Sequence, residues 1–108
     1  MSNDAENDRI FKALSHFRRR HILDALRDNP QTTGALCEAF PDLDRCTVMQ
    51  HLKVLEEAEL IIVKRQGRER WNHLNPLPIK EIFDRWIGQY AGPTVDRLAR
   101  FKSDIEGR

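Results

Sequence analysis

The stretch Asp44-Arg45-Cys46-Thr47-Val48-Met49-Gln50-His51-Leu52-Lys53-Val54-Leu55 decides how this chain folds. At about 100° per residue, Val48, Leu52 and Leu55 fall on one side of a helix and Cys46, Thr47, Gln50 and Lys53 on the other. A purely structural surface helix fills its outer side with Glu and Lys. Here the N-terminal half instead carries short or hydrogen-bonding groups able to enter a major groove. Asp44 is placed to cap the helix, since its carboxylate can accept from the free amides of the first turn. The segment reads as a DNA-recognition helix extending to about Ala58.

The residues after this helix extend that reading. Leu60 to Gln66 is a β-branched, apolar run that turns basic, Gly67-Arg68 offers a turn, and Glu69 to Leu74 can return as a second strand. A helix leading directly into a short basic hairpin is the layout of a winged helix. Lys64, Arg65, Arg68 and Arg70 cluster near its tip, where cations gain by displacing counterions from a phosphate backbone.

These motifs resemble those of the ArsR-type winged-helix repressors, whose recognition helix commonly reads Ser-x-Ser-Thr-Val-Ser-x-His-Leu-Lys-Val-Leu. The chain matches at Thr47, Val48, His51, Leu52, Lys53, Val54 and Leu55, and departs at Asp44, Cys46 and Met49. Upstream, Lys12-Ala13-Leu14 and Arg19-Arg20-His21-Ile22-Leu23 resemble the family's Leu-Ala-Asp-Pro-Thr-Arg-Arg-Arg-Ile-Leu signature, with His16-Phe17 in place of Asp-Pro. The resemblance spans Arg9 to Asn75. It implies a mainly α fold with a small β-hairpin wing, dimerising through N- and C-terminal helices. It also implies that Arg45, Cys46, Gln50 and His51 approach base edges or phosphates.

Gln50 is the best base-reading side chain, because its amide pairs bidentately with adenine N6 and N7. Thr47 and Lys53 suit phosphates and set register. His51 has an alternative, packing and hydrogen-bonding inside the fold. One guanidinium of Arg18-Arg19-Arg20 is expected at phosphate, with the others paired or solvated.

At 108 residues the chain is read as one domain, small enough for dimerisation to help its stability. Residues 4–75 form the winged-helix core, and residues 79–105 supply one or two dimerisation helices. Earlier, a first helix spans Asp4 to Leu14 with Ile10, Phe11 and Leu14 inward. Ser15 caps a second helix that runs through Arg27 and buries Phe17, Ile22, Leu23 and Leu26. Thr32 or Thr33 caps a short third helix. Met1 to Asn3 should fray. From Ile79, apolar residues recur at helical spacing to Tyr90, and Gly92-Pro93 bends or breaks the pattern before Val95, Leu98, Phe101 and Ile105 resume it. This is more large apolar surface than the core can cover, and it makes Ile10, Phe11, Ile82, Phe83, Trp86, Tyr90, Leu98 and Phe101 the expected dimer interface. A two-fold dimer presents its recognition helices to half-sites about 34 Å apart, or a multiple of the helical turn, on a pseudo-palindrome.

Net charge is only +1, so the total permits DNA binding without arguing for it. No apolar run approaches the roughly 20 residues of a membrane span, and no signal peptide opens the chain, which points to the cytosol. Two cysteines are too few for a stapled secreted fold and suit reduced thiols. The family's metal-sensing members carry Glu-Leu-Cys-x-Cys before the recognition helix. Here the run is Ala35-Leu36-Cys37-Glu38-Ala39, with no Asp-x-His and no histidine beyond His73. No metal or cofactor is expected, and Cys37 reads as a small core residue. Neither a phosphate loop nor a nucleophile constellation points to an enzyme.

The sequence thus favours a sequence-specific transcriptional regulator: an autoregulating repressor binding a palindromic operator in double-stranded DNA as a homodimer. Two alternatives stand beside it. One is a winged-helix module for protein–protein assembly. The other is a thiol-based redox repressor switched at Cys46, whose place at a helix N-terminus favours the thiolate.

Overall fold

A computed structural model describes residues 4–90 and 93–107. These residues divide into two compact units, one ending at Pro78 and the other beginning at Ile79. Met1 to Asn3, where the sequence predicts fraying, and Gly92, the expected bend point, lie outside the described residues, as does the side chain of Val95.

The first unit runs α1 (Asp4–Leu14), α2 (Phe17–Leu26), β1 (Gln31–Thr32), α3 (Thr33–Ala39), α4 (Arg45–Glu57), β2 (Ile61–Gln66) and β3 (Glu69–Leu74). Its core is one apolar cluster of Ile10, Ala13, Ile22, Leu23, Leu26, Leu36, Val48, Leu52, Leu55, Leu60 and Ile61. Each longer helix contributes residues three or four apart, so the helical faces close on one another. The inward face of α1 differs from the sequence expectation. Ile10 and Ala13 are its buried residues, whereas Phe11 is 47% exposed. Ile10 therefore belongs to the monomer core and is not available to a second copy. Phe17, expected inward on α2, is also exposed.

The helix ends show how polar side chains close the corners. Ser15 does not cap α2. Its hydroxyl donates back to the Lys12 carbonyl at 2.7 Å and finishes α1. The cap of α2 is His16, whose Nδ1 accepts the Arg18 amide at 3.1 Å. Arg19 donates to the Lys12 and Ala13 carbonyls, and Arg20 to that of Leu14. The orphan carbonyls at the end of α1 are thereby satisfied by the next helix. Arg18 makes a bidentate ion pair with Asp42 in the turn before α4. All three members of the basic run thus have partners inside the unit.

The sheet is antiparallel, in the order β1-β3-β2. Its third strand, β1, has no signature in the sequence, because two residues are too short to show a period. It places Gln31 opposite Asn72, and buried Asn72 donates to the Gln31 carbonyl (3.2 Å) and the Thr33 hydroxyl (3.1 Å). Thr32 caps α3 by accepting the Ala35 amide at 3.0 Å. In the hairpin turn Gly67 has φ +62°, the positive φ that a II′ turn needs at its first central position and that glycine adopts without strain.

α5 (Leu77–Trp86) starts at the end of the first unit, where Asn75 accepts the Leu77 amide. In the second unit α5 ends at Trp86, a short 3₁₀ helix covers Gly88–Tyr90, and α6 runs Pro93–Glu106. The apolar stripe is therefore carried by two helices, and the first stops earlier than the stripe predicts. Gly88, a poor helix former, sits where the α-helix gives way. Phe83, Trp86, Ile87, Leu98, Phe101 and Ile105 are all exposed, and Phe101 is 63% exposed.

Candidate nucleic-acid interface

The reading helix α4 is fixed on its inner side and open on its outer side. Val48, Leu52 and Leu55 are fully buried. Asp44 caps the helix, its Oδ1 accepting the Thr47 amide at 2.7 Å. That backbone hydrogen bond, aided by one from the Thr47 side chain, holds the Asp44 carboxyl below its ordinary pKa and keeps the cap ionised.

Three strips run along the rest of α4. Cys46, Gln50 and Lys53, spaced four and three apart, are exposed and form the outermost strip. Arg45 and Met49 turn toward the hairpin. They line a cleft of about 340 Å³ with Thr32, Thr33 and Gly34 at the start of α3 and with Arg65, Arg68, Glu69 and Arg70 of the wing. Thr47 and His51 form the third strip and are half-buried. His51 faces α2, its Nδ1 3.3 Å from Arg19 Nη1 and its ring centroid 4.6 Å from that of His16.

The register of the hairpin sorts its cations. Arg65 lies directly opposite Arg70, and Lys64 opposite Trp71. Successive side chains on a strand alternate faces, so Lys64 is on the other face of the wing from Arg65 and Arg70. It lines a separate apolar recess with Pro30, Gln66, Trp71 and His73. Arg68 occupies the turn. Two arginines directly opposite each other would repel, but Arg70 is neutralised by Glu56 at the end of α4, Nη2 to Oε1 3.0 Å.

The ten candidate DNA-facing residues therefore separate. Arg45, Cys46, Gln50, Lys53, Arg65 and Arg68 come together around the outer strip and the cleft, and Thr47 borders them. His51 and Arg70 are drawn into the fold by Arg19 and Glu56, while Lys64 stands apart. Met49 and Glu56 also belong to the arrangement, beyond the residues expected from the sequence. The signal was available, because positions 45, 49 and 56 repeat at helical spacing on the side that leads to the wing.

Among the described residues, no group of three or more His, Cys, Asp or Glu comes together as a metal site would require. Cys37 is half-buried on α3 and Cys46 is exposed. No helix among the described residues is long and apolar enough to cross a membrane.

Comparison with known proteins places this geometry. A helix-turn-helix domain family model matches residues 9–64, the span from α1 into β2. The HTH-type transcriptional regulator YuzN of Bacillus subtilis is 33% identical over 78% of this chain and 98% of its own length. The transcriptional repressor SdpR of the same organism is 32% identical over 72% of this chain and 84% of its own. A solved ArsR-like transcriptional regulator from Rhodococcus sp. RHA1 superposes with a TM-score of 0.72 at 25% identity, covering 100% of this chain and 99% of that one. The winged helix-turn-helix fold, the open reading helix and these relatives agree on a DNA-binding regulator and not an enzyme. The chain belongs to the ArsR-type helix-turn-helix transcriptional regulators.

Proposed function

We propose that the chain is a cytoplasmic homodimeric repressor that reads a short palindromic operator and controls its own promoter. The observation that carries this is the outer strip of α4. Cys46, Gln50 and Lys53 face outward on a helix pinned by three fully buried side chains, so a reading surface is held rigidly before DNA arrives. In this reading Gln50 pairs with an adenine edge, while Lys53, Thr47 and Arg45 hold phosphates. Arg65 and Arg68 bring the wing to the neighbouring backbone across the cleft. Ile82, Phe83, Trp86, Tyr90, Leu98 and Phe101 are the side chains a second copy would cover, with Phe11 added from α1. Ile10, being core, is left out. Bound across a promoter, such a dimer represses by occupancy.

The test is fluorescence anisotropy with a labelled duplex from the DNA upstream of this chain's own coding region, against a scrambled duplex, at several salt concentrations. The expected result is tight, selective, salt-steep binding of two protomers per duplex. Equal and weak binding to both duplexes would remove self-regulation.

A further inference from the structure

We propose that His51 is a proton-responsive positioning residue: its neutral ring sets the outer side of the reading helix against α2, and protonation loosens that contact, so acidification weakens DNA binding. This rests on the DNA-reading role proposed for α4.

The geometry assigns the neutral ring. Arg19 Nη1 stands 3.3 Å from His51 Nδ1, and a guanidinium can only donate, so Nδ1 must accept. Arg19 cannot turn away freely, because its other donors hold the Lys12 and Ala13 carbonyls at the end of α1 at 2.9 Å each. A proton on Nδ1 would thus replace an attraction with two donors facing each other. The groups around the ring give that proton no counter-ion. α2 and its cap present Arg18, Arg19 and His16, none of which can supply a negative charge. Asp42, in the turn before α4, is committed to Arg18. α1 offers Arg19 only backbone carbonyls, and α3 and β2, also packed on α4, contribute no charge that acts on His51.

Burial first, then His16, Arg19 and Arg18, lower the His51 pKa from its ordinary 6.5. A group whose folded pKa is depressed stabilises the fold above its unfolded value and loses that contribution as pH falls through the folded one. The His51 contact with Arg19 should therefore be complete above about pH 6.5 and loosen progressively below it. The sign is diagnostic. A histidine touching phosphate would strengthen binding when protonated, whereas a positioning histidine weakens it.

The experiment measures affinity for the labelled upstream duplex from pH 8 to pH 5.5 at fixed ionic strength, for the wild type and His51→Gln. The imidazole Cε1–Hε1 resonances of the free wild-type protein are followed over the same range. The expected wild-type affinity falls about fivefold or more, with a midpoint that tracks the His51 resonance, while His51→Gln, which keeps an acceptor but cannot titrate, stays nearly flat. Affinity that rises on acidification, or identical profiles for the two proteins, overturns the proposal. If His51→Gln does not fold, a mismatch between the wild-type midpoint and the His51 resonance does the same. If neither upstream nor scrambled DNA binds at any pH, the DNA-reading role of α4 falls. Thermal unfolding then decides: an acid-induced loss in the wild type exceeding that in His51→Gln supports the anchor, and equal losses overturn it.

Discussion

Arg70 of the wing reaches Glu56 of the reading helix, Nη2 to Oε1 3.0 Å, and so ties the start of β3, beside the wing turn, to the last turn of α4. The Arg70 side chain is four-fifths buried, which makes this pair stiffer than a solvated surface bridge. The tie also removes one positive charge from a cleft that already holds Arg45, Arg65 and Arg68. Replacing Glu56 with Gln should therefore have two effects on DNA binding. The freed guanidinium becomes available to phosphate, so the log–log salt slope steepens by about 1 and affinity for scrambled duplex rises. The wing loses its fixed angle to α4, so the ratio of specific to scrambled affinity falls. Anisotropy titrations on both duplexes over a range of salt concentrations give both quantities. An unchanged slope would mean that Arg70 stays engaged without Glu56.

Gln50 and Lys53 lie one turn apart on the same exposed strip, yet they should fail differently. An amide that pairs with a base carries sequence information, whereas an ammonium at a phosphate carries almost none. Gln50→Ala should cost about 1–3 kcal/mol on the operator and little on scrambled DNA, relaxing preference at one base pair. Lys53→Ala should weaken both duplexes alike and flatten the salt slope by about 1. The two variants assayed side by side settle the roles, and a uniform loss from Gln50→Ala would move that residue to the backbone.

Most of the reading helix is legible in the sequence because its signals are local: an Asp at the cap, apolar residues three and four apart, and polar groups between them. The same holds for the wing, where a glycine turn separates two strand-like runs. What the sequence hides depends on partners distant in the chain. Arg70 reads as a free wing cation until Glu56, an entire strand away, is seen to neutralise it. His51 reads equally as a DNA contact or a packing residue until Arg19 and His16 close on it. His16 is hard to suspect as a cap because imidazole is an uncommon one, and neighbouring Ser15 draws that assignment. In α1, Ile10 and Phe11 differ by one residue, and periodicity alone does not say which of them the core takes.

Glu59 ends α4 in the left-handed region, with φ +60°. The motif around it is complete, with Leu60 N–H donating to Leu55 O at 3.0 Å and Glu59 N–H to Glu56 O at 2.9 Å. These are the two hydrogen bonds of a Schellman cap, whose left-handed position favours glycine. A left-handed conformation costs a non-glycine residue about 1–2 kcal/mol, and glycine's extra chain entropy returns about 0.5–1 kcal/mol of that. Glu59→Gly should thus stabilise the protein by about 0.5–1 kcal/mol, raising the thermal midpoint by roughly 4 °C. Glu59→Ala keeps the same backbone penalty and should give no such gain. Equal midpoints for the two variants would show that the turn is not strained.

The second unit exposes Phe83, Trp86, Ile87, Leu98, Phe101 and Ile105, a concentration of large apolar side chains that lone surface residues do not produce. Fully burying one such side chain contributes about 1.5–3 kcal/mol. If a second copy covers them, each side chain acts twice across the two-fold axis, so one charged substitution strikes the interface in both protomers. Phe101→Glu should raise the dimer dissociation constant by roughly a hundredfold or more. Its own helix should persist, because the side chain it removes is 63% exposed. Light scattering across a concentration series should report twice the 12.7 kDa monomer for the wild type and a concentration-dependent fall toward the monomer for the variant. On a two-half-site duplex the variant should lose most of its affinity, because each protomer must then bind one half-site alone and forfeits the effective concentration its partner supplied. A wild type that stays monomeric at assay concentration would assign the exposed face to something other than a second copy and leave α4 reading DNA as a single helix.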